Sequence, residues 1–500
     1  MDHWVHQMNI DSNKTSHLYI QIYCGIKQLI SNKKLKHGDR LPAVRKMAGV
    51  LNVNTVTVVK AYELLERDEL VIKKRGSGTY VNFENNDIMG NVLVNEEWEK
   101  IQLKQLNQMT ERNISITEET INFASANPSP DLFPVDDFKE ALLEVLDRDK
   151  GFAFSYQDSR GYAPLRQRMA DLAKCNGIST TSEEIQIISG AQQGIDLVAK
   201  GILQPGDTVL IERPSYSGAI AAFYSRGSRV KDIELTSDGI DIDLFEKTVK
   251  ELRPKLVYLM PNFQNPTGIS YTLEKLKAII ELSEKYDFTI LEDDYVNEFA
   301  FDSSSVNTLK SLDRYQRVIY IKSFSKIFMP GLRLGYMIVP SKVYSTLVMA
   351  KQATDISTSG LLQRALERYF HHGKWDRNMK KLTNEYYKRF CAIKSILESD
   401  LSKEITCRIP SGGLNFWIEL PKGVDASLLY SKVANKNIVF APGRLFYLNK
   451  PVYERLRISI AAVSLNQIEI GMTEMIRLIR STDKLINTEK WSGEDKEPIL

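Results

Sequence analysis

The chain has 500 residues, of which 43% are apolar and 26% charged. Those shares are ordinary for a folded globular protein and exclude a mostly disordered or collagen-like chain. The net charge of +3 excludes a global basic excess, but residues 1–85 hold 13 Lys and Arg against 8 Asp and Glu, so the surplus sits at the N-terminal end.

The opening run MDHWVHQMNIDSNK holds no long apolar core of a secretory leader. No later window approaches the roughly 18 uninterrupted apolar residues of a membrane span. Four cysteines (Cys24, Cys175, Cys391, Cys407) form no CxxC pair and no zinc-like cluster, so neither a disulfide scaffold nor a metal site is expected. The expectation is a cytoplasmic protein with no membrane partner.

Residues 15–83 form the first expected domain. Ile22, Ile26, Leu29 and Ile30 follow helical spacing. KHGDRLP then breaks the helix, and AVRKMAGVL makes a short second one. NVNTVTVVKAYELLERDEL makes a third, with Asn54 as N-cap and Val58, Ala61, Tyr62 and Leu65 on its inner face. VIKKRGSGTYV reads as two short strands around Arg75 and Gly76. Two helices on a tight turn followed by a β-hairpin is the plan of a winged helix-turn-helix. Its second helix would present Asn54, Thr55 and Thr57 to base edges, while Arg45, Lys46, Lys60, Lys73, Lys74 and Arg75 could meet phosphates. Taken by periodicity and charge alone, a small helical interaction domain is an equal reading. Residues 84–118 are polar and irregular, and read as a linker.

From 119 to 482, short β-rich runs alternate with helical runs, which predicts an α/β domain. Chemically useful groups sit where its strands end. EIQIIS (184–189) runs into Gly190, Ala191 and Gln192, a helix start suited to phosphate. Tyr216 follows TVLIERPS, and Asn265 follows LVYLMPNFQ. Asp293 and Tyr295 end FTILEDDY. Ser323, Ser325 and Lys326 end RVIYIKSFSK, and Arg333 lies seven residues beyond the lysine. Ligands bind at the carboxyl ends of such strands. A lysine amine, a carboxylate for a ring nitrogen, a stacking aromatic and a phosphate cradle together suit pyridoxal 5′-phosphate. Singly, each residue reads as an ordinary solvated or packing side chain, and it is the ordered set that points to a cofactor. The tail at 483–500 is polar.

Two resemblances sharpen this. LYxQI, GDRLPxxR, TVxxAYxxLE and GSGTYV, in that order, resemble the GntR-type winged helix, which implies DNA binding through Arg45, Asn54, Thr55, Thr57, Lys60, Arg75 and Gly76. Many members carry an arginine where Thr55 stands, so operator preference is not carried across. NPTG, EDDY and SFSK…GLRLGY resemble the fold-type I aminotransferases. That resemblance implies that Lys326 is the Schiff-base lysine and catalytic group, and that Asp293 pairs with the pyridine nitrogen. Asn265 and Tyr295 would bond the 3-oxygen, and Tyr216 would stack on the ring. Gly190, Ala191, Gln192, Ser323, Ser325 and Arg333 would hold the phosphate. Tyr156 would reach the phosphate of a dimer partner, and Arg457, with Arg455 as a rival two positions away, would bind an effector carboxylate. The fused plan resembles the MocR-type regulators. It implies a homodimeric transcriptional regulator on an operator with two half-sites, sensing an amino compound or a vitamin B6 vitamer. The alternative is an active aminotransferase acting on an amino acid and a 2-oxo acid.

Overall fold

The computed structural model describes residues 18–31, 34–67, 70–74, 78–82, 117, 119–302, 306–399, 405–448 and 451–482. Arg75 and Gly76, the expected linker apart from Thr117, and the expected tail lie outside them. The chain divides into two compact units, Met1–Asn95 and Glu96–Leu500.

The smaller unit holds helices α1 (Leu18–Ser31), α2 (Val44–Leu51) and α3 (Thr55–Arg67) and the antiparallel pair β1 (Val71–Lys74) and β2 (Gly78–Val81). Its core is the apolar face the helical spacing marks. Ile22, Ile26, Leu29 and Ile30 of α1 meet Met47 and Ala48 of α2 and Val58, Ala61, Tyr62 and Leu65 of α3. Each fully buried Ile, Leu, Val or Met side chain among them contributes about 1.5–3 kcal/mol. The Tyr62 hydroxyl donates to the Pro42 carbonyl at 2.7 Å, so the one polar atom of that aromatic enters the core satisfied. Asn54 starts α3 by accepting from the Val56 N–H at 2.9 Å, one of the donors a helix start leaves without an intrahelical partner.

The larger unit is built on an eight-stranded sheet. In chain order the strands are β3 (Ile185–Ile188), β4 (Thr208–Arg213), β5 (Arg229–Thr236), β6 (Gly239–Ile240), β7 (Leu256–Leu259), β8 (Thr289–Asp294), β9 (Val318–Ser323) and β10 (Gly335–Ile338). Across the sheet they run β3-β10-β9-β8-β7-β4-β5-β6. Strands β5, β4, β7, β8 and β9 are parallel neighbours, whereas β10 is antiparallel to both β9 and β3. Strands β7 and β9 are buried on both faces along their whole length. The carboxyl ends of β3, β4, β7, β8 and β9 therefore share one edge, and the antiparallel β10 returns the segment before it, with Arg333, to that same edge. A second sheet, ordered β11-β12-β14-β13, contains β11 (Thr406–Cys407), β12 (Asn415–Glu419), β13 (Ala441–Pro442) and β14 (Arg455–Ser459). Among the described residues no helix is long and apolar enough to cross a membrane, and no cluster of ligating side chains could hold a metal ion.

Candidate cofactor and effector site

Strand β3 ends at a turn that opens helix α4 (Ala191–Ile202). Gly190 caps it at φ +89°. A Cβ there would be strained by that φ and would lie 2.6 Å from a terminal nitrogen of Arg333, so the turn requires glycine. The Arg333 guanidinium donates to the Ser189 carbonyl at 2.9 Å and to the Ser325 hydroxyl at 3.2 Å. The buried Ser323 accepts from the Ser325 N–H at 3.2 Å. Cation, hydroxyls and a helix start thus meet in one place, which is the composition of a phosphate cradle. Tyr216, just before helix α5 (Ser217–Tyr224), donates to Gln192 Oε1 at 3.1 Å, and Gln192 donates to the Gly218 carbonyl at 2.9 Å. The expected stacking ring and the expected phosphate turn are therefore in contact.

Asp293 and Asp294 face opposite sides of the sheet, since neighbouring strand residues alternate. Tyr258 of β7 pairs with Leu291, so Asp293, two residues on, lies on the Tyr258 side. The Tyr258 hydroxyl donates to Asp293 Oδ2 at 2.7 Å. Burial, opposed by that hydrogen bond and reinforced by Asp294, pushes the Asp293 carboxyl up to about 6. Its Oδ1 is buried without a partner. Asp294 joins the other face, accepting from Tyr320 at 2.6 Å and Lys322 at 3.0 Å. Its contacts there tie it to the packing of that face.

Lys326 closes the site. Its Nζ donates to Asn127 Oδ1 at 2.7 Å. Burial, then the nearby cations Arg457 and Arg333, bring the ammonium down to about 8. A much larger fraction is then neutral, and so nucleophilic, than for a solvated lysine. Arg457 of β14 is 4% exposed. It donates to Asn265 Oδ1 at 2.9 Å and to the Ala124 carbonyl, its guanidinium lies 5.2 Å over the Phe446 ring, and its Nε has no partner. Burial lowers it to about 10. The rival Arg455 lies further toward the strand's start, where Glu419 pairs with it at 3.0 Å.

These residues fit pyridoxal 5′-phosphate. The unpartnered Asp293 oxygen could accept from a protonated ring nitrogen, the Gly190 turn opens a helix beside Arg333, and a half-buried lysine of lowered affinity for protons lies near Arg333 and Arg457. Two expected residues stand differently. The Tyr295 hydroxyl donates to the Phe263 carbonyl at 2.5 Å and accepts from Asn415 at 2.9 Å. Tyr156 is 84% exposed, outside its own chain's site.

Sequence reasoning missed Tyr258, Asn127 and Gln264. Gln264 accepts from Thr267 N and Oγ1 at 3.0 and 2.7 Å and donates to buried Glu212 at 3.1 Å, so it shapes the turn that carries Asn265. Its position directly before NPTG was the available signal. Tyr258 was visible only as one more residue of an apolar strand. Asn127 lies 199 residues from Lys326 and gave no signal.

In the smaller unit Arg45 stands in the first turn of α2, and Arg45, Asn54, Thr55 and Lys60 are exposed, with Thr57 half-buried. Lys60 lies 5.7 Å over the Tyr19 ring, and Lys73 pairs with Glu66 at 2.8 Å. The short polar residues at the start of α3 therefore meet solvent and leave room for base edges.

Comparison with known proteins bears on both units. Residues 118–474 match the family described as aminotransferase class I and II, and residues 18–81 match bacterial regulatory proteins of the gntR family. An uncharacterized HTH-type transcriptional regulator of Bacillus subtilis, YdfD, is 31% identical over 92% of this chain and 96% of its own. Among solved structures, the α-aminoadipate aminotransferase LysN of Thermus thermophilus, complexed with N-(5′-phosphopyridoxyl)-L-leucine, is 33% identical. Its TM-score is 0.70 over 76% of this chain and 97% of its own. The kynurenine aminotransferase of Pyrococcus horikoshii, in a complex containing PMP, is 30% identical, with a TM-score of 0.69 over 77% and 94%.

Proposed function

Because the chain belongs to the class I and II aminotransferases and joins that domain to a gntR-type helix-turn-helix, the arrangement of MocR-type regulators, we propose that it is a transcriptional regulator whose aminotransferase-like domain senses a primary amine or a B6 vitamer. The cofactor is pyridoxal 5′-phosphate. Bound, it supplies a carbonyl carbon that captures amines and a ring that withdraws electrons. The chain's own residues do the rest. Asp293 offers its unpaired oxygen to the ring nitrogen, and Gly190, Ala191, Gln192, Ser323, Ser325 and Arg333 take the phosphate. Asn265 takes the 3-oxygen, while the Tyr295 hydroxyl is spent on the Phe263 carbonyl, and Tyr216 covers the ring. Lys326 supplies the amine that tethers, and Arg457, buried and short of one partner, takes the effector's carboxylate.

The reader binds DNA through Arg45, Asn54, Thr55, Thr57 and Lys60, with Arg75 and Gly76 at the wing. The protein works as a homodimer, in which Tyr156 crosses to the neighbour's phosphate and two readers take two half-sites. An effector shifts operator affinity only through a difference in its binding to two states. A coupling of about 1–3 kcal/mol changes that affinity roughly 5- to 150-fold.

The observation that carries this reading is the union in one chain of an exposed reading helix with a half-buried lysine of lowered proton affinity that meets Asn127. The test uses genomic fragments selected by the purified protein. Wild-type protein loaded with pyridoxal 5′-phosphate changes its affinity for them when mixed amino acids are added, whereas Lys326→Ala does not. Equal responses from both would sink it. The intact Lys326, Asp293 and Arg457 also favour a second reading, a working transaminase. Steady-state amino-group transfer at roughly 1–10³ s⁻¹ would establish that instead.

A further inference from the structure

The segment 122–127 is tied to the strand that carries Arg457. Ser459 N–H donates to the Phe123 carbonyl at 2.8 Å, and Phe123 N–H donates to the Val439 carbonyl at 2.8 Å. Within the segment, Asn122 Oδ1 accepts from the N–H groups of Ala124 and Ser125, both at 3.0 Å, and Ser125 Oγ accepts from Asn127 N–H at 3.2 Å. Pro128 follows and fixes the backbone. Residue 124 gives its carbonyl to Arg457, and residue 127 gives its side-chain oxygen to Lys326. One short pinned stretch therefore touches both ends of the effector site, the carboxylate end and the amine end.

A lysine that exchanges places with an incoming amine needs somewhere to go. The new C–N bond forms as the bond to the Lys326 nitrogen breaks, and two protons pass from the incoming amine to Lys326, with no oxidation or reduction. The released side chain is an amine with N–H donors in a partly buried place, where an unpaired donor carries a cost. Among the described hydrogen bonds of Lys326, the one acceptor is Asn127 Oδ1.

We propose that Asn127 is a positioning residue that receives the released Lys326 amine, so that its side-chain oxygen favours the displaced state of the lysine over the tethered one and sets how strongly the protein answers primary amines. This rests on the sensing reading above. It goes further by giving the set point of the switch to a residue outside the cofactor motifs.

Full-length wild type, Asn127→Ala and Asn127→Asp, each saturated with pyridoxal 5′-phosphate, are titrated with methylamine and followed by visible absorbance. Methylamine has no carboxylate, so Arg457 does not enter. Asn127→Ala should require roughly tenfold more methylamine for half-conversion, the loss expected of one hydrogen bond to a charged or strongly polar group. Asn127→Asp keeps an acceptor and should recover most of it. In cofactor-free protein, acylation of Lys326 followed by mass spectrometry should run several-fold faster in Asn127→Ala. Identical titrations for wild type and Asn127→Ala would overturn the role of Asn127 alone. A wild-type protein that takes up no cofactor would overturn the sensing reading, and the exchange role with it.

Discussion

At the scale of single residues, the chemistry of the proposed site turns on the charge state of Asp293. Its carboxyl is held up to about 6 by burial, against a Tyr258 hydrogen bond that stabilises the anion. Only the anion pairs fully with a protonated ring nitrogen, so cofactor affinity should fall as pH drops through about 6. Tyr258→Phe removes the bond that lowers the carboxyl, at a cost of about 1 kcal/mol. The fall should then begin at higher pH, and the cofactor dissociation constant measured between pH 5 and 8 checks this. Superimposable profiles for the two proteins would show that Tyr258 does not tune Asp293. The same residue pair shows how strand alternation allots roles, since Asp294 joins Lys322 and Tyr320 on the opposite face and is spent on structure.

At the scale of elements, the proposed anion cradle is a strand-to-helix turn whose backbone conformation favours glycine. Gly190 combines φ +89° with a space already taken by Arg333. Gly190→Ala should cost about 1–3 kcal/mol of backbone strain and push Arg333 away from Ser189. Cofactor affinity should fall at least tenfold, with a lowered melting temperature, both read on the purified full-length chain. Wild-type affinity in this variant would mean that Arg333 does not hold the turn in the working protein. The reader's elements follow simpler physics. Their apolar stripes at helical spacing, with Asn54 at the start of α3, specify three helices before any tertiary contact is considered.

At the scale of the whole molecule, the proposed dimer gives Tyr156 a purpose that its own chain does not. An aromatic 84% exposed, in a stretch with exposed Phe152 and Phe154, is unusual on a lone protomer. If Tyr156 serves the neighbour's site, Tyr156→Phe and Lys326→Ala should each weaken or abolish cofactor retention. A mixture of the two, allowed to exchange subunits, should regain one intact site per hybrid dimer. Borohydride reduction and mass spectrometry would read the recovered adduct on the Tyr156→Phe subunit. No recovery in hybrids shown to form would place Tyr156 outside the neighbour's site.

The order of chemical groups along the chain was legible without any structure. NPTG, EDDY and SFSK follow short apolar runs that alternate with helical patterns, so the candidate chemical groups of the large unit and the reader's fold were both suggested by local sequence. Tertiary structure alone decided which groups meet across long separations. Asn127 reaches Lys326 across 199 residues, and Tyr258 reaches Asp293 across 35. Arg457 rather than Arg455 enters the core, although both lie on one strand with the same alternation, because only the former lies deep enough in the strand to be buried. Local patterns fix a residue's face and its element, but sheet register and strand order fix its neighbours, and the hydrogen bonds that tune an amine or a carboxyl belong to neighbours.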